Sequence, residues 1–336
     1  MAKHFHRKPR PVNIENSGFG PNSAVEGGRL TNKDGTVNLR KTGLPVWQRT
    51  SIYHSLLRMS RIKFLLFVVL FYSTVNFIFA GLYFLVGVNN LSGTEAAKTY
   101  TDKFLEAFFF SAQTLTTVGY GRVAPVGVLA NFVAATESLL GILIFAVVTG
   151  MMYGRFSRPR AYIIFSQNIL VAPYKHGKAL MFRLATYKNN HLTDSEAIAT
   201  IALHVWENDK EVTRFYPLKL EISKINSLAL SWTVVHAIDD ESPIYGFTAE
   251  DIIESKAEVI INVKSFDDHF SNVVQQRTSY TVNEVVYGAR FLPMFHKAEN
   301  ADHTILELDK INAYENVIFP EHHVNPSDSN AVTANA

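Results

Sequence analysis

Two long apolar stretches, nearly free of charge, dominate the chain. Phe64 to Val88 is 25 residues without a charged side chain, and Val123 to Gly154 carries only Glu137. A bilayer core about 30 Å thick needs about 20 apolar helical residues, so each stretch predicts a membrane-crossing helix. Between them, Phe104–Leu115 is apolar but too short to cross. Asp102 is its expected N-cap, and Glu106 falls in the first turn, where the helix dipole favours an acid. A short helix at that depth, followed by glycines, predicts a re-entrant segment whose backbone must be buried in protein or line water. Upstream, Trp47–Leu57 mixes apolar and polar positions in the manner of an amphipathic helix lying in the membrane interface.

After Arg160 the periodicity changes from helical to alternate-residue. Tyr162–Ala172, Lys178–Lys188, Ala197–Glu207, Ser231–Ile238, Glu258–Lys264 and Tyr280–Arg290 are rich in β-branched and aromatic residues and separated by turn residues. Short strands at such spacing predict a β-sandwich. The expected organisation is an N-terminal segment over 1–45, partly disordered, a two-span membrane unit over 46–160, a sandwich over 161–324, and a disordered tail over 325–336. Residues 1–27 are likewise polar and aperiodic.

Charge sharpens this division. The whole chain has 32 Lys+Arg and 30 Asp+Glu, a net +2. Residues 1–61 hold 11 basic and 3 acidic side chains, whereas 161–336 hold 14 basic and 23 acidic. Arg58, Arg61 and Lys63 precede the first span, and Arg155, Arg158 and Arg160 follow the second. The positive-inside rule therefore places both termini in the cytoplasm of a multi-pass protein of the cell (inner or plasma) membrane. The absence of cysteine excludes disulfides, iron–sulfur clusters and thiol catalysis. There is no G-x-S-x-G or H-E-x-x-H motif. Gly18-Phe19-Gly20 lacks the strand and helix of a dinucleotide site, and nothing suggests nucleic-acid binding. An enzyme is not expected, and no cofactor.

The strongest chemical signal is Thr117-Val118-Gly119-Tyr120-Gly121, directly after the short helix. TVGYG is the sequence whose carbonyl oxygens replace the hydration shell of potassium in channel filters. Carbonyls from Thr117 to Tyr120 can bind the ion, and the Thr117 hydroxyl can add a further ring. Pointing successive carbonyls at one axis demands dihedrals hostile to ordinary residues, which Gly119 and Gly121 relieve. The negative C-terminal end of the short helix favours a cation. One chain supplies a quarter of such a ring, so a homotetramer is expected, with potassium as the permeant ligand.

Phe104–Arg122 (FLEAFFFSAQTLTTVGYGR) resembles the pore segment of inward-rectifier potassium channels. Gly28–Gly43, Phe156–Ala161 (FSRPRA) and Arg277–Phe291 resemble the prokaryotic, KirBac-like branch of that family. The resemblance implies a slide helix, outer helix, pore helix and inner helix, followed by an immunoglobulin-like cytoplasmic sandwich. It implies passive potassium conduction gated at the inner helices and the cytoplasmic domain. The chain also departs from the family. It lacks the cysteine pair flanking the pore loop of eukaryotic members. Gln113 replaces an acid after the pore-helix serine, so that an ion pair from position 113 to Arg122 is unavailable. Phe145 stands where strong rectifiers place an acid.

In the second span, Phe145, Thr149, Met152 and Tyr153 fall near one face. By resemblance, Phe145 and Tyr153 form hydrophobic constrictions that close the pore by dewetting. Gly141 and Gly150 are either hinges or close-packing positions. Glu137, the one acid within a span, is either a tie to the pore helix or an ion ligand. With Gln113 and Arg122 it is a candidate support of the filter. Arg155, Arg158 and Arg160 are either a contact for anionic lipid headgroups or ordinary flanking charge. By resemblance, His269–Gln276 forms a loop narrowing the cytoplasmic vestibule. The competing class is a membrane receptor or sensor with a ligand-binding β-domain and a vestigial pore.

Overall fold

The computed structural model describes residues 29–207, 210–298 and 302–319, so the tails expected to be disordered lie outside the described residues except for Arg29 onward. The chain divides into a helical unit, 42–158, and a unit formed by the rest of the chain on either side of it.

In the helical unit, the expected interfacial helix is broken. α1 (Val46–Arg49) and α2 (Ile52–Arg58) are separated because Ser51 is extended and its hydroxyl caps α2 by accepting from the His54 amide. A serine that bonds its own backbone in this way stops one helix and starts another. α3 (Arg61–Val86) and α5 (Val128–Phe156) are the two spans. At 1.5 Å per residue each is about 40 Å long, enough to cross with tilt. Between them lie β1 (Leu91–Ser92), α4 (Tyr100–Leu115) and β2 (Ala124–Pro125), with β1 and β2 paired antiparallel.

α4 is longer than expected and begins four residues earlier. Its N-cap is Thr99, not Asp102. The Thr99 hydroxyl accepts from the Asp102 amide at 3.1 Å while the Asp102 carboxylate accepts from the Thr99 amide at 3.2 Å. This reciprocal cap satisfies two otherwise orphaned donors, and the sequence pattern hid it because Tyr100-Thr101 are not both apolar. Phe79, Ala80 and Tyr83 of α3 pack with Ala107 and Phe110 of α4.

The other unit is a sandwich of two five-stranded sheets. Its strands are β3 (Ile163–Phe165), β4 (Ile169–Tyr174), β5 (Gly177–Thr186), β6 (Leu192–Glu207), β7 (Lys210–Leu218), β8 (Lys224–Ser227), β9 (Ser231–Ile238), β10 (Glu258–Asp267), β11 (Asn272–Thr281) and β12 (Val285–Tyr287). One sheet has the order β11-β10-β6-β7 with β8 on β6; the other has β12-β4-β5-β3 with β9 on β5. α6 (Ala249–Glu254) precedes β10. β13 (Ala289–Phe291) pairs with β16 (Tyr314–Asn316), and β14 (Phe295–Lys297) with β15 (Thr304–Leu306). Ile201, Leu203, Ile261 and Val263 from the first sheet meet Ile169, Leu180, Phe182 and Leu184 from the second in one core. Such burial contributes roughly 1.5–3 kcal/mol per large side chain.

Three expected elements differ in detail. Tyr162–Ala172 is two strands, broken at Ser166–Asn168. Tyr280–Arg290 is no single strand: a turn at Val282–Glu284, capped by Thr281, carries the chain from β11 to β12 on the opposite sheet. A switch between sheets needs a sharp turn that alternation alone cannot reveal. His269–Gln276 is a tight hairpin end followed by the start of β11 rather than a loop throughout. The Asp267 carboxylate accepts from the amides of His269 and Phe270, and pairing with β10 resumes at Asn272.

Candidate functional site

The filter segment leaves α4 through a set of backbone bonds aimed back at the helix. The Thr117 amide donates to Thr114 (3.0 Å), and those of Val118 and Gly119 donate to the Gln113 carbonyl (2.9 and 3.4 Å). The Gln113 carbonyl thus accepts from two successive amides of this segment. With the amides turned toward the helix, the carbonyls are left to face elsewhere. Among the described residues, none donates a hydrogen bond to the carbonyls of Thr117, Val118, Gly119 or Tyr120.

The dihedrals alternate. φ is +58° at Thr117, +55° at Gly119 and +83° at Gly121, while Val118 and Tyr120 keep negative values. The two glycines occupy the left-handed region, as their residue type anticipates. Thr117 is the surprise, because a β-branched residue with positive φ is a genuine outlier that costs roughly 1–3 kcal/mol. Such strain persists only where the surroundings impose it.

Behind the filter, Glu137 is fully buried among α3, α4 and α5. Its carboxylate lies 2.5 Å from the Ser111 hydroxyl and accepts from Tyr83 at 2.6 Å. Ser111 also lies 3.0 Å from the Asn76 amide oxygen, and the Asn76 amide nitrogen donates to the Tyr72 carbonyl. Glu137 therefore has protein partners on both oxygens, and it ties the inner helix to the pore helix of its own chain. Sequence reasoning missed Asn76, Ser111 and Tyr83. A usable signal was Asn76, the one amide side chain in the first span, since such groups bond across helices.

Arg122 has an acidic partner after all. It pairs with Glu106 and donates to the Gly93 carbonyl at 3.2 Å. Glu106 precedes Gln113 by seven residues, two turns along the same helix face. An acid missing at one position is thus supplied from another.

Gly141 lies where α5 meets the end of α4. A Cβ there would sit 1.9 Å from the Leu115 carbonyl oxygen, whereas one at Gly150 would meet nothing within 4 Å. Close packing explains the first glycine; the second has no such contact. Phe145, Thr149 and Tyr153 recur every four residues along α5 on its exposed side, with Met152 beside them. Arg155 is already engaged: its guanidinium donates to the Leu56 carbonyl and, at 2.6 Å, to that of Met59, and lies 4.4 Å from the centre of the Phe64 ring. Of the three basic candidates, Arg158 and Arg160 remain exposed. No group of three or more His, Asp or Glu side chains suited to a metal occurs among the described residues.

Residues 163–332 match the family described as the inward rectifier potassium channel C-terminal domain, and 44–161 match that of ion transport proteins. The inward rectifier potassium channel Kirbac3.1 of Paramagnetospirillum magnetotacticum is 33% identical over 270 residues, 80% of this chain and 89% of that protein. The chain belongs to the inward-rectifier potassium channel family. More distant inward rectifiers match over a shorter region. Inward rectifier potassium channel 18 of Homo sapiens is 25% identical over 207 residues, covering 59% of this chain and 48% of that protein. The ATP-sensitive inward rectifier potassium channel 12 of Mus musculus is 25% identical over 210 residues, again 48% of its length. The family's members are ion channels and not enzymes, and a receptor with a vestigial pore finds no support among these matches.

Proposed function

We propose that four copies of the chain assemble around one axis in the cell membrane, with both termini cytoplasmic, and conduct potassium passively. The observation that carries this reading is the alternation of positive φ at Thr117, Gly119 and Gly121 with four carbonyls unclaimed by the chain's own amides. Four such strands supply stacked rings of oxygen that take over from water around a dehydrated ion. Gln113, Glu137 and the Glu106–Arg122 pair hold each strand against its helix. The exposed stripe of Phe145, Thr149 and Tyr153 forms the gate, where four aromatic rings close the path by excluding water. Gly150 is the hinge, with no neighbour to obstruct bending; the packing of Gly141 argues against bending there. Arg158 and Arg160 attract anionic headgroups, at about 1 kcal/mol per basic residue near a charged surface. Arg155 instead holds α2 to α5.

The test is rubidium uptake into liposomes carrying the purified protein. Barium-sensitive uptake that prefers potassium and rubidium over sodium is expected. A monomeric protein, or one giving no cation uptake in any lipid, refutes the proposal. Tyr153→Ala is expected to raise uptake, and unchanged uptake places the gate elsewhere.

A further inference from the structure

The N-terminal stretch Arg29–Asn38 is a tight hairpin lying on the sheet unit, closed by the Thr31–Val37 bridge and by the Asn38 amide bonding the Leu30 carbonyl at 2.9 Å. Its anchor is a buried acid. Glu258, at the start of β10 and 4% exposed, accepts the Leu30 amide at 2.5 Å and the Thr31 amide at 3.0 Å. One carboxylate thereby satisfies two backbone donors that would otherwise be buried without partners. Leu30 itself is buried beside Ala202 and Phe215 on the outer face of the sheet.

The remaining contacts fall on β11, an edge strand with a neighbour on one side only, and on two groups outside it: Arg29 and Lys33 pair with Glu284, and the Lys33 ammonium donates to the Gln167 carbonyl at 2.7 Å. The Ser279 hydroxyl donates to the Thr31 carbonyl at 2.5 Å, and the Thr278 hydroxyl to that of Lys33 at 3.1 Å. The Lys33 ammonium lies 3.9 Å from the centre of the Tyr280 ring. Gly35, at φ +82°, lies so close to β11 that a Cβ would sit 2.6 Å from the Arg277 carbonyl oxygen. The hairpin covers part of an edge that would otherwise be open.

The chain passes between its two units twice, at 41–42 and at 158–159. The second passage is continuous backbone into the sandwich. The first leads from the N-terminal hairpin, and among the described residues it is the docking of that hairpin that joins this passage to the sandwich. We infer that Glu258 is the pin of a second tether, and that this tether delivers movement of the sandwich to the helices preceding the pore. Glu258 is a positioning residue, far in sequence from the filter. The inference rests on the channel reading, because its consequence is a change in gating.

The experiment measures amide hydrogen exchange at Leu30 and Thr31 together with rubidium uptake, in wild type, Glu258→Ala, Glu258→Gln and Gly35→Ala. Glu258→Ala is expected to speed exchange at both amides about 10–100-fold, the span of a lost hydrogen bond to a charged group. Glu258→Gln, with one oxygen left, is expected to fall between. Gly35→Ala disrupts docking from the exposed side without touching the buried acid, and it decides the matter if Glu258→Ala does not fold. Uptake in the released variants is expected to fall at least about fivefold, the lower end of typical coupling between sites. Selectivity for potassium over sodium is expected to stay unchanged. Unaltered exchange overturns the pin, and faster exchange with unaltered or raised uptake overturns the coupling. If wild type itself carries no ions, the channel reading fails, while the exchange arm still tests the pin.

Discussion

Gly141 of the inner helix rests directly on the Leu115 carbonyl, the last residue of the pore helix, with no room for even a methyl group. The end of α4 therefore has its height set by α5, and the filter begins two residues later. Gly141→Ala must push the helices apart, at a cost of roughly 1–3 kcal/mol for overpacking. A lower melting temperature of the assembled protein and weakened ion selectivity are expected. Gly150→Ala meets no neighbour within its chain and should stiffen α5 without lowering the melting temperature. Equal melting effects at the two glycines would contradict this division.

Gly119→Ala separates conformation from packing. The glycine is at φ +55° and a Cβ there touches nothing within 4 Å in its own chain, so the strain is in the backbone itself. Tetramers should survive on sizing columns while potassium-selective uptake is lost. Retained selectivity would refute the account of the carbonyl ladder.

Glu106→Gln removes the charged partner of Arg122 but keeps a hydrogen-bonding group of the same shape. The arginine side chain is 57% exposed, so the pair itself adds at most about 1 kcal/mol to stability. The expected effect is functional: uptake that decays with time as the outer end of the filter loosens, with little change in melting. Steady uptake equal to wild type would show that Arg122 needs only the Gly93 carbonyl.

His236 gives the sandwich a pH dependence. Its ring is buried, with Nδ1 2.7 Å from the Lys219 carbonyl and Nε2 2.9 Å from the Ser242 hydroxyl. A carbonyl can only accept, so Nδ1 carries the proton and Nε2 accepts from serine. Burial holds this imidazole below its ordinary 6.5, and His204 is lowered by the same cause. Between the folded and unfolded pKa values the unfolded chain binds more protons, so stability rises with pH there and levels off above about 6.5. Melting measured from about pH 5 to 8 should show this slope, and His236→Gln should reduce it without removing the share due to His204.

The spans, the short pore helix and most of the central strands were legible because membrane length and alternate-residue burial are local patterns. Local patterns also explain the errors. Asp102 looked like a cap because it precedes an apolar run, although Thr99 three residues earlier could form the reciprocal arrangement. The crossing at Val282–Glu284 was invisible because flanking residues on two different sheets alternate alike. Gly119 and Gly121 announced their dihedrals by residue type, whereas nothing about threonine announced +58° at Thr117. The Asn76–Ser111–Glu137 cluster depends on how three helices meet, and the Glu106–Arg122 pair on how the loop after Gly121 returns beside α4; sequence spacing encodes neither. Arg155 has the charge of a headgroup contact, but its guanidinium is occupied by the Leu56 and Met59 carbonyls and the ring of Phe64.

The reciprocal cap at Thr99 and Asp102 bears on how the protein is made. Both partners lie within one turn of chain, so the start of the pore helix can be nucleated as soon as the ribosome has released it, before α5 exists. In the proposed tetramer the ladder of oxygens also needs neighbouring copies, and must wait. In that assembly a newly inserted chain carries a ready scaffold and an unfinished passage.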